Sequence, residues 1–312
     1  MSALPIHFFT IVLNGEPFIR HHLELFKQLP FRWHWHVVEG VAELKHDTAW
    51  SVAAGGRIEG SFHDQGRSND GTSAYLDEIA AAHPDQVTVY RRPLGTFWDG
   101  KLAMVRAPLA NIQEPCLLWQ VDADELWTAE QIIRSRQLFL THPDKRAAYY
   151  WCHFFVGPNH VLTSRDTYGN NSSYEWLRTW RFEPGDHWES HEPPGLFHRF
   201  EQWRQWPRML RGKRLRPPFK ATDKSVFSHR ETEEAGLVFQ HLAYVIEAQL
   251  RFKETYYGYQ GAPDRWRAML AEERFPLALK DYFPWVKDEA KVGLASDQGI
   301  APLLNQGVDF GG

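Results

Sequence analysis

The sequence predicts an α/β protein built on a mostly parallel central sheet flanked by helices, and three observations carry that expectation. Strand-like apolar runs alternate with helix-like amphipathic runs through roughly residues 1–145. The run CLLWQV, from Cys116, is apolar almost continuously rather than alternately, as in a parallel strand covered on both faces. That run ends abruptly in Asp122, Asp124 and Glu125, at the carboxyl end of a strand, where open α/β sheets bind their ligands.

The elements follow in order. His7–Leu13 (HFFTIVL) is a buried-strand run, and Pro17 then opens a helix with Ile19, Leu23 and Phe26 at helical spacing. Trp33–Gly40 (WHWHVVEG) is a second strand. Turn chemistry at Asn69-Asp70-Gly71 introduces a helix carrying Leu76 and Ile79 and ending before Pro84. Gln86–Arg92 is a third strand. The run from Gly100 is helical through Leu102, Val105 and Leu109, with a break or kink expected at Pro108. After the fourth strand, Thr128 with Gln131 three residues on forms a capping-box pattern. The second half is less regular. AYYWCHFFV reads as one strong strand, the stretch from about Pro158 to Pro194 as polar, aromatic loop, and the segment after His241 as a helix ended by Gly261 and Pro263.

At 312 residues, 43% hydrophobic and 24% charged, the chain has material for a substantial core. Residues 1–145 are expected to form a ligand-binding half and 146–312 a second half of the same compact domain. The net charge of −4 argues against nucleic-acid binding through global electrostatics. Two cysteines, Cys116 and Cys152, sit in apolar runs and read as buried free thiols of a reducing compartment. The N-terminus lacks a basic leader and meets Asn14 and Glu16 early, so neither a signal peptide nor, lacking about 20 consecutive apolar residues, a membrane span is expected. A cytoplasmic location follows as the expectation. The 14 Trp read mainly as core, with some available to line a sugar site.

Two carboxylates in one small space repel unless a proton or cation lies between them. If the segment stays extended, Asp122 and Asp124 face the same side, and a divalent ion carrying a diphosphate resolves the repulsion. The bland alternative is a solvated turn whose acids favour the positive end of the helix at Thr128.

Taken as an ordered set over about residues 6–140, these segments resemble the GT-A nucleotide-sugar glycosyltransferases, particularly family 2-like bacterial enzymes. The opening TIVLNGEPFIRHHL, the VVEG run, SNDGTSAYL, GKLAMVRAPL and the D-x-D of VDADE match in order. The resemblance implies a GT-A fold and a metal-dependent, inverting transfer from a nucleotide-sugar, UDP-sugar favoured over GDP-sugar, to a hydroxyl of a glycan, lipid-linked or small-molecule acceptor. It implies donor contacts from Asn14, Glu16, Glu39, Asp70, Lys101 and Asp122, and a Mn²⁺ or Mg²⁺ held by Asp122, Asp124 and His241, with Glu125 as an alternative ligand. In WESHEPPG it implies Glu192 as catalytic base and His191 as its orienting or diphosphate-contacting neighbour, with Asp186 and Glu189 as rivals. Arg106 joins Lys101 as a candidate for stabilising the leaving diphosphate, and Trp98, Trp127, Trp176 and Trp188 for shaping sugar pockets.

One segment departs from the pattern. Ala42–Arg67 is longer than the usual turn, and reads as a flap over the nucleotide or a surface excursion. The basic, Trp-containing stretch 199–220 reads as a solvated acceptor-side loop or as a peripheral contact with the inner membrane face. A sugar nucleotidyltransferase is the rival enzyme, disfavoured because NGEPF is a poor phosphate loop. A carbohydrate-binding or scaffold protein with a decayed site is the non-catalytic alternative.

Overall fold

The computed structural model describes residues 4–173, 175–198 and 218–303. The four expected strands are present: β1 (Ile6–Val12), β2 (Trp33–Glu39), β3 (Val87–Tyr90) and β4 (Cys116–Gln120). They run parallel in the order β4-β1-β2-β3. Every residue of β4 is buried, which is why its sequence shows no alternation. The helices between them are α1 (Arg20–Phe26), the short α2 (Trp50–Ala53), α3 (Thr72–Ala82) and α4 (Gly100–Arg106). Pro108 acts as expected: α4 stops at Arg106 and a 3-10 turn, Ala107–Asn111, takes over.

A two-residue strand, β5 (Glu125–Leu126), follows the acidic turn and leads into α5 (Ala129–Thr141). The capping box at α5 is complete, Thr128 Oγ1 accepting from the Gln131 N–H and the Gln131 side chain accepting from the Thr128 N–H.

Beyond residue 145 the structure departs from expectation. AYYWCHFFV is two strands rather than one, β6 (Ala147–Tyr149) and β7 (Trp151–Gly157), with buried Tyr150 between them. The 158–194 stretch, expected as loop, holds β8 (His160–Leu162), β9 (Leu177–Phe182) and β10 (His187–Ser190), the last paired with β11 (Gly195–Phe197). After β12 (Val226–Phe227), helix α6 (His229–Glu234) and β13 (Val238–His241), the expected helix is α7 (Glu247–Tyr257), closed by left-handed Gly258 before Gly261, and a further helix, α8 (Ala262–Leu270), with Pro263 in its first turn, starts where the first was expected to end. Strands β14 (Leu277–Ala278) and β15 (Lys291–Leu294) complete the described chain.

Two sheets result. The central one has the order β12-β6-β9-β4-β1-β2-β3, with β9 antiparallel between β4 and β6. The second has the order β14-β15-β8-β7-β13-β5. The change of sheet at Tyr150 lets one continuous apolar run serve both, and strands from both halves of the sequence share the central sheet. The α/β class is as predicted.

Trp127 and Trp188, named above for a sugar pocket, are instead core residues, 0% and 1% exposed. Trp127 stacks on Phe239, and Trp188 meets Trp180 edge to face. Both cysteines are buried and free. Among the described residues, no helix is long and apolar enough to cross a membrane. Of the basic stretch 199–220, residues 199–217 lie outside the described residues.

Candidate active site

The acidic cluster does not stay extended. The Glu125 N–H donates to the Asp122 carbonyl at 3.0 Å, closing a tight turn between β4 and β5. The period-two expectation therefore fails, and the three carboxylates acquire different partners. Glu125 is fully buried and takes a forked contact from Arg178, whose Nε lies 2.9 and 3.1 Å from its two oxygens and whose Nη2 lies 2.6 Å from one. The same Nη2 reaches Asp122 Oδ2 at 3.2 Å, and the Gln120 amide donates to Asp122 Oδ1 at 3.0 Å. Burial works against the charge on Asp122, but Arg178 and Gln120 outweigh it and hold the carboxyl below its usual range. Burial lifts Glu125, against the pull of Arg178, to about 7.

Arg178 is thus a large part of what offsets the acids at the strand end, and sequence reasoning missed it. It projects from β9, which was read as loop. One signal was present: a charged residue inside LRTWRF needs a buried counter-charge if the segment is a strand.

Asp124 has looser company. Its Oδ1 stands 3.5 Å from His241 Nε2, and its Oδ2 accepts from the Gln249 amide at 3.3 Å. Burial opposes its charge, while His241 and Lys253 together bring it down to about 2. His241 is fixed by register. It ends β13 directly opposite Glu125, and the next N–H, from Leu242, donates to the Asp124 carbonyl at 2.8 Å. Phe154 and half-buried Trp176 meet the His241 ring nearly edge to face, and its buried Nδ1 has no hydrogen-bond partner. Lys253, from α7, lies 4.3 Å above the Tyr244 ring and donates to the Ala243 carbonyl. The sequence reading did not single it out.

The turn is braced from behind. His22 Nε2 donates to the Ala123 carbonyl at 3.0 Å, and burial lowers this histidine to about 4, so it stays neutral. Gly15 comes so close that a Cβ there would lie 2.8 Å from Val12 Cγ2 and 3.2 Å from Ala123 Cβ.

His191 and Glu192 follow β10 and lie within electrostatic reach of Asp122. The Glu192 side chain is 54% exposed; its Oε1 lies 3.6 Å from Lys101 Nζ and 3.6 Å from His191 Nδ1. The Lys101 charge holds the Glu192 carboxyl below its ordinary range despite burial of its surroundings. Asp47 completes the group, accepting from the Glu192 N–H at 3.2 Å and standing 3.4 Å from His191 Nδ1. Asp47 belongs to the 42–67 segment, and nothing in the sequence singled it out. The rival Asp186 is taken up by His198 Nδ1 at 2.5 Å. Arg106 Nε donates to the Trp188 carbonyl at 2.8 Å.

The remaining expected donor contacts form a connected shell at the carboxyl ends of β1 and β2. Asn14, at φ 59°, accepts from the Asn69 N–H and donates to the Phe62 carbonyl. Asp70 accepts from the Glu16 and Thr72 N–H groups, opening α3 behind left-handed Gly71, and Glu16 pairs with Arg20 at 2.8 Å. Glu39 is 1% exposed and engaged on both oxygens: by Ser68 and Ser73 on one, by Arg91 Nε at 2.5 Å on the other.

Among the described residues, no three of His, Cys, Asp and Glu converge as a ready metal cluster. The donor set nevertheless suits a two-ligand site. A 3.5 Å gap between Asp124 and His241 exceeds a good hydrogen bond, yet matches two donors each about 2.1 Å from one small divalent ion. Asp122 is already engaged by Arg178 and Gln120, one on each oxygen.

No protein-family model matches the chain, and no curated protein does. Among solved structures it is similar to the mannosyltransferase PcManGT from Pyrobaculum calidifontis in complex with GDP-Man and Mn²⁺, at 18% identity and TM-score 0.33, over 47% of this chain and 35% of that one. It is also similar to S. aureus TarS 1-349, at 10% identity and TM-score 0.38, over 57% and 47% of the two chains. A third similarity is to 4-diphosphocytidyl-2C-methyl-D-erythritol synthase, at 13% identity and TM-score 0.29, over 48% and 61%. The chain therefore spans 35% to 61% of the length of these structures. At this level of likeness nothing about chemistry passes to this chain, whose own residues have to supply it.

Proposed function

We propose that the protein is a glycosyltransferase that moves a sugar from a nucleotide-sugar to an acceptor hydroxyl. One observation carries the reading: the Asp124–His241 pair lies just past the carboxyl end of the central parallel strand, and the distant His191–Glu192 pair lies within electrostatic reach of neighbouring Asp122. Asp124 and His241 would hold a Mn²⁺ or Mg²⁺, which when bound supplies Lewis-acid stabilisation of a leaving diphosphate. Glu192 is exposed enough to meet an acceptor, and Lys101 keeps it ionised at neutral pH, so it can take the acceptor's proton as the new bond forms. Asp47 and His191 position that carboxylate from its buried side. A single base beside the reacting centre favours inversion. Arg178 holds Asp122 and Glu125 in place, leaving Asp124 open to a ligand.

The rival nucleotidyltransferase gains no support: the loop after β1 brings no basic side chain before Arg20, and Arg20 is paired with Glu16. Calorimetry with UDP and GDP, with and without Mn²⁺, tests the proposal. Binding that requires Mn²⁺ and is lost in Asp124→Ala is expected. Equal binding without the ion, or undiminished binding by the variant, would refute the ligand role; no nucleotide binding at all would favour the scaffold alternative. Peripheral membrane contact through 199–220 remains part of the proposal only as the source of a lipid-linked acceptor.

A further inference from the structure

The segment 42–67 is neither a flap nor a free excursion. It is docked on α7 through the Arg57 N–H to the Thr255 carbonyl at 2.8 Å, Tyr256 Oη to the Ala42 carbonyl at 2.9 Å, and Phe62 edge to face with Phe252. Gly56 lies so close that a Cβ would stand 2.4 Å from the Tyr256 carbonyl oxygen. On this shelf sits Trp50, 47% exposed and the only aromatic among the large exposed hydrophobic side chains of the described residues. Its ring is parallel to Tyr257 within 5° at 5.8 Å, and lies 6.2 Å from Tyr259, which in turn stacks on Trp285 at 4.3 Å. Lys101 Nζ donates to Tyr257 Oη at 3.0 Å and faces Glu192.

From this geometry we infer that Trp50, backed by Tyr257 and Tyr259, is a saccharide platform that holds the sugar chain of the acceptor beside Glu192. A pyranose offers a flat C–H face to an aromatic ring and hydroxyls at its edge, and this surface offers the complement: a half-exposed indole stacked on Tyr257, whose hydroxyl accepts from Lys101. Lys101 and Glu192 face each other at 3.6 Å, and Asp47 is held by the Glu192 N–H. Docking on α7 preorganises the rings, so little ordering opposes binding. The same segment contributes Asp47 to the His191–Glu192 pair, tying platform and base together. The position beside Glu192 matters because of the transferase reading, while sugar binding itself does not depend on it.

The test is capture of the full chain on an array of immobilised oligosaccharides. Wild type should bind one or more glycans, Trp50→Ala about tenfold or more weakly, and Trp50→Phe within about threefold of wild type. Trp50→Ala should keep wild-type thermal stability and Mn²⁺-dependent nucleotide binding. Capture unchanged in Trp50→Ala, or no capture by wild type, overturns the platform. Trp50-dependent capture by a protein that binds no nucleotide would sustain the platform and sink the transferase reading. Nucleotide binding with Trp50-independent capture would do the reverse.

Discussion

Two carboxylates end neighbouring regions of one mostly parallel sheet and meet opposite fates. Glu39, closing β2, is sealed by two serines and Arg91, with nothing left to offer. Asp124, just past β4, has its side-chain contacts at 3.3 Å, from the Gln249 amide, and 3.5 Å, from His241 Nε2. Glu39 has the arrangement of a structural group, whose hydrogen bonds are already made in the folded chain. Asp124 has that of a group awaiting a ligand. Position at a strand end is therefore not enough to identify a ligand contact; the state of the carboxylate's hydrogen bonds separates the two.

The comparison can be broken by substitution. The largest effect is expected on the open side: Glu192→Gln should keep donor binding and lose about 10²–10⁴-fold in transfer, read by single-turnover assay. Near-normal turnover would remove Glu192 as base. Arg178→Met should cost roughly 3 kcal/mol of stability in urea denaturation, because it strips the partner from fully buried Glu125. Glu39→Gln should cost roughly 2 kcal/mol while leaving Mn²⁺-dependent nucleotide binding intact. If binding falls instead, Glu39 is the donor contact its sequence position suggests and the distinction drawn here fails.

A third region sharpens the closed class without charge. His7 Nδ1 and His36 Nε2 lie 2.9 Å apart across β1 and β2, and His36 also meets Tyr90. Burial and, next, neighbouring His34 lower His7 to about 4 and His36 to about 2, against 6.5 for the free side chain. The unfolded chain takes up these protons first. Their stabilising contribution is thus complete above pH 6.5 and declines as pH falls toward 4. Between pH 7.5 and 5.5 the loss should be roughly 1 kcal/mol per ring. A urea midpoint unchanged over that interval would contradict it.

The first half of the fold was legible because each of its elements buries one continuous or one periodic apolar face. Pro108 and the Thr128–Gln131 box marked their boundaries for local reasons that tertiary contacts did not override. The second half was less so. β9 carries Arg178 and Arg181 in a buried strand, and charge disguises strand character when the partners, here Glu125 and the carbonyls of Phe139 and Lys145, come from elsewhere in the chain. AYYWCHFFV hid a change of sheet because both sheets demand the same apolar residues. Asp124, His241 and Glu192 are named through resemblance, whereas Asp47 and Lys253 carry no local pattern and become visible only when α7 and the 42–67 segment are packed together.

The most direct measurement is a crystal soaked with Mn²⁺ and a nucleotide-sugar, with data collected at the manganese absorption edge. The account predicts an anomalous peak bonded to Asp124 and His241, with the diphosphate on its far side and Arg178 still on Asp122 and Glu125. A peak elsewhere, or a bound nucleotide with Asp124 and His241 left facing each other, would contradict it.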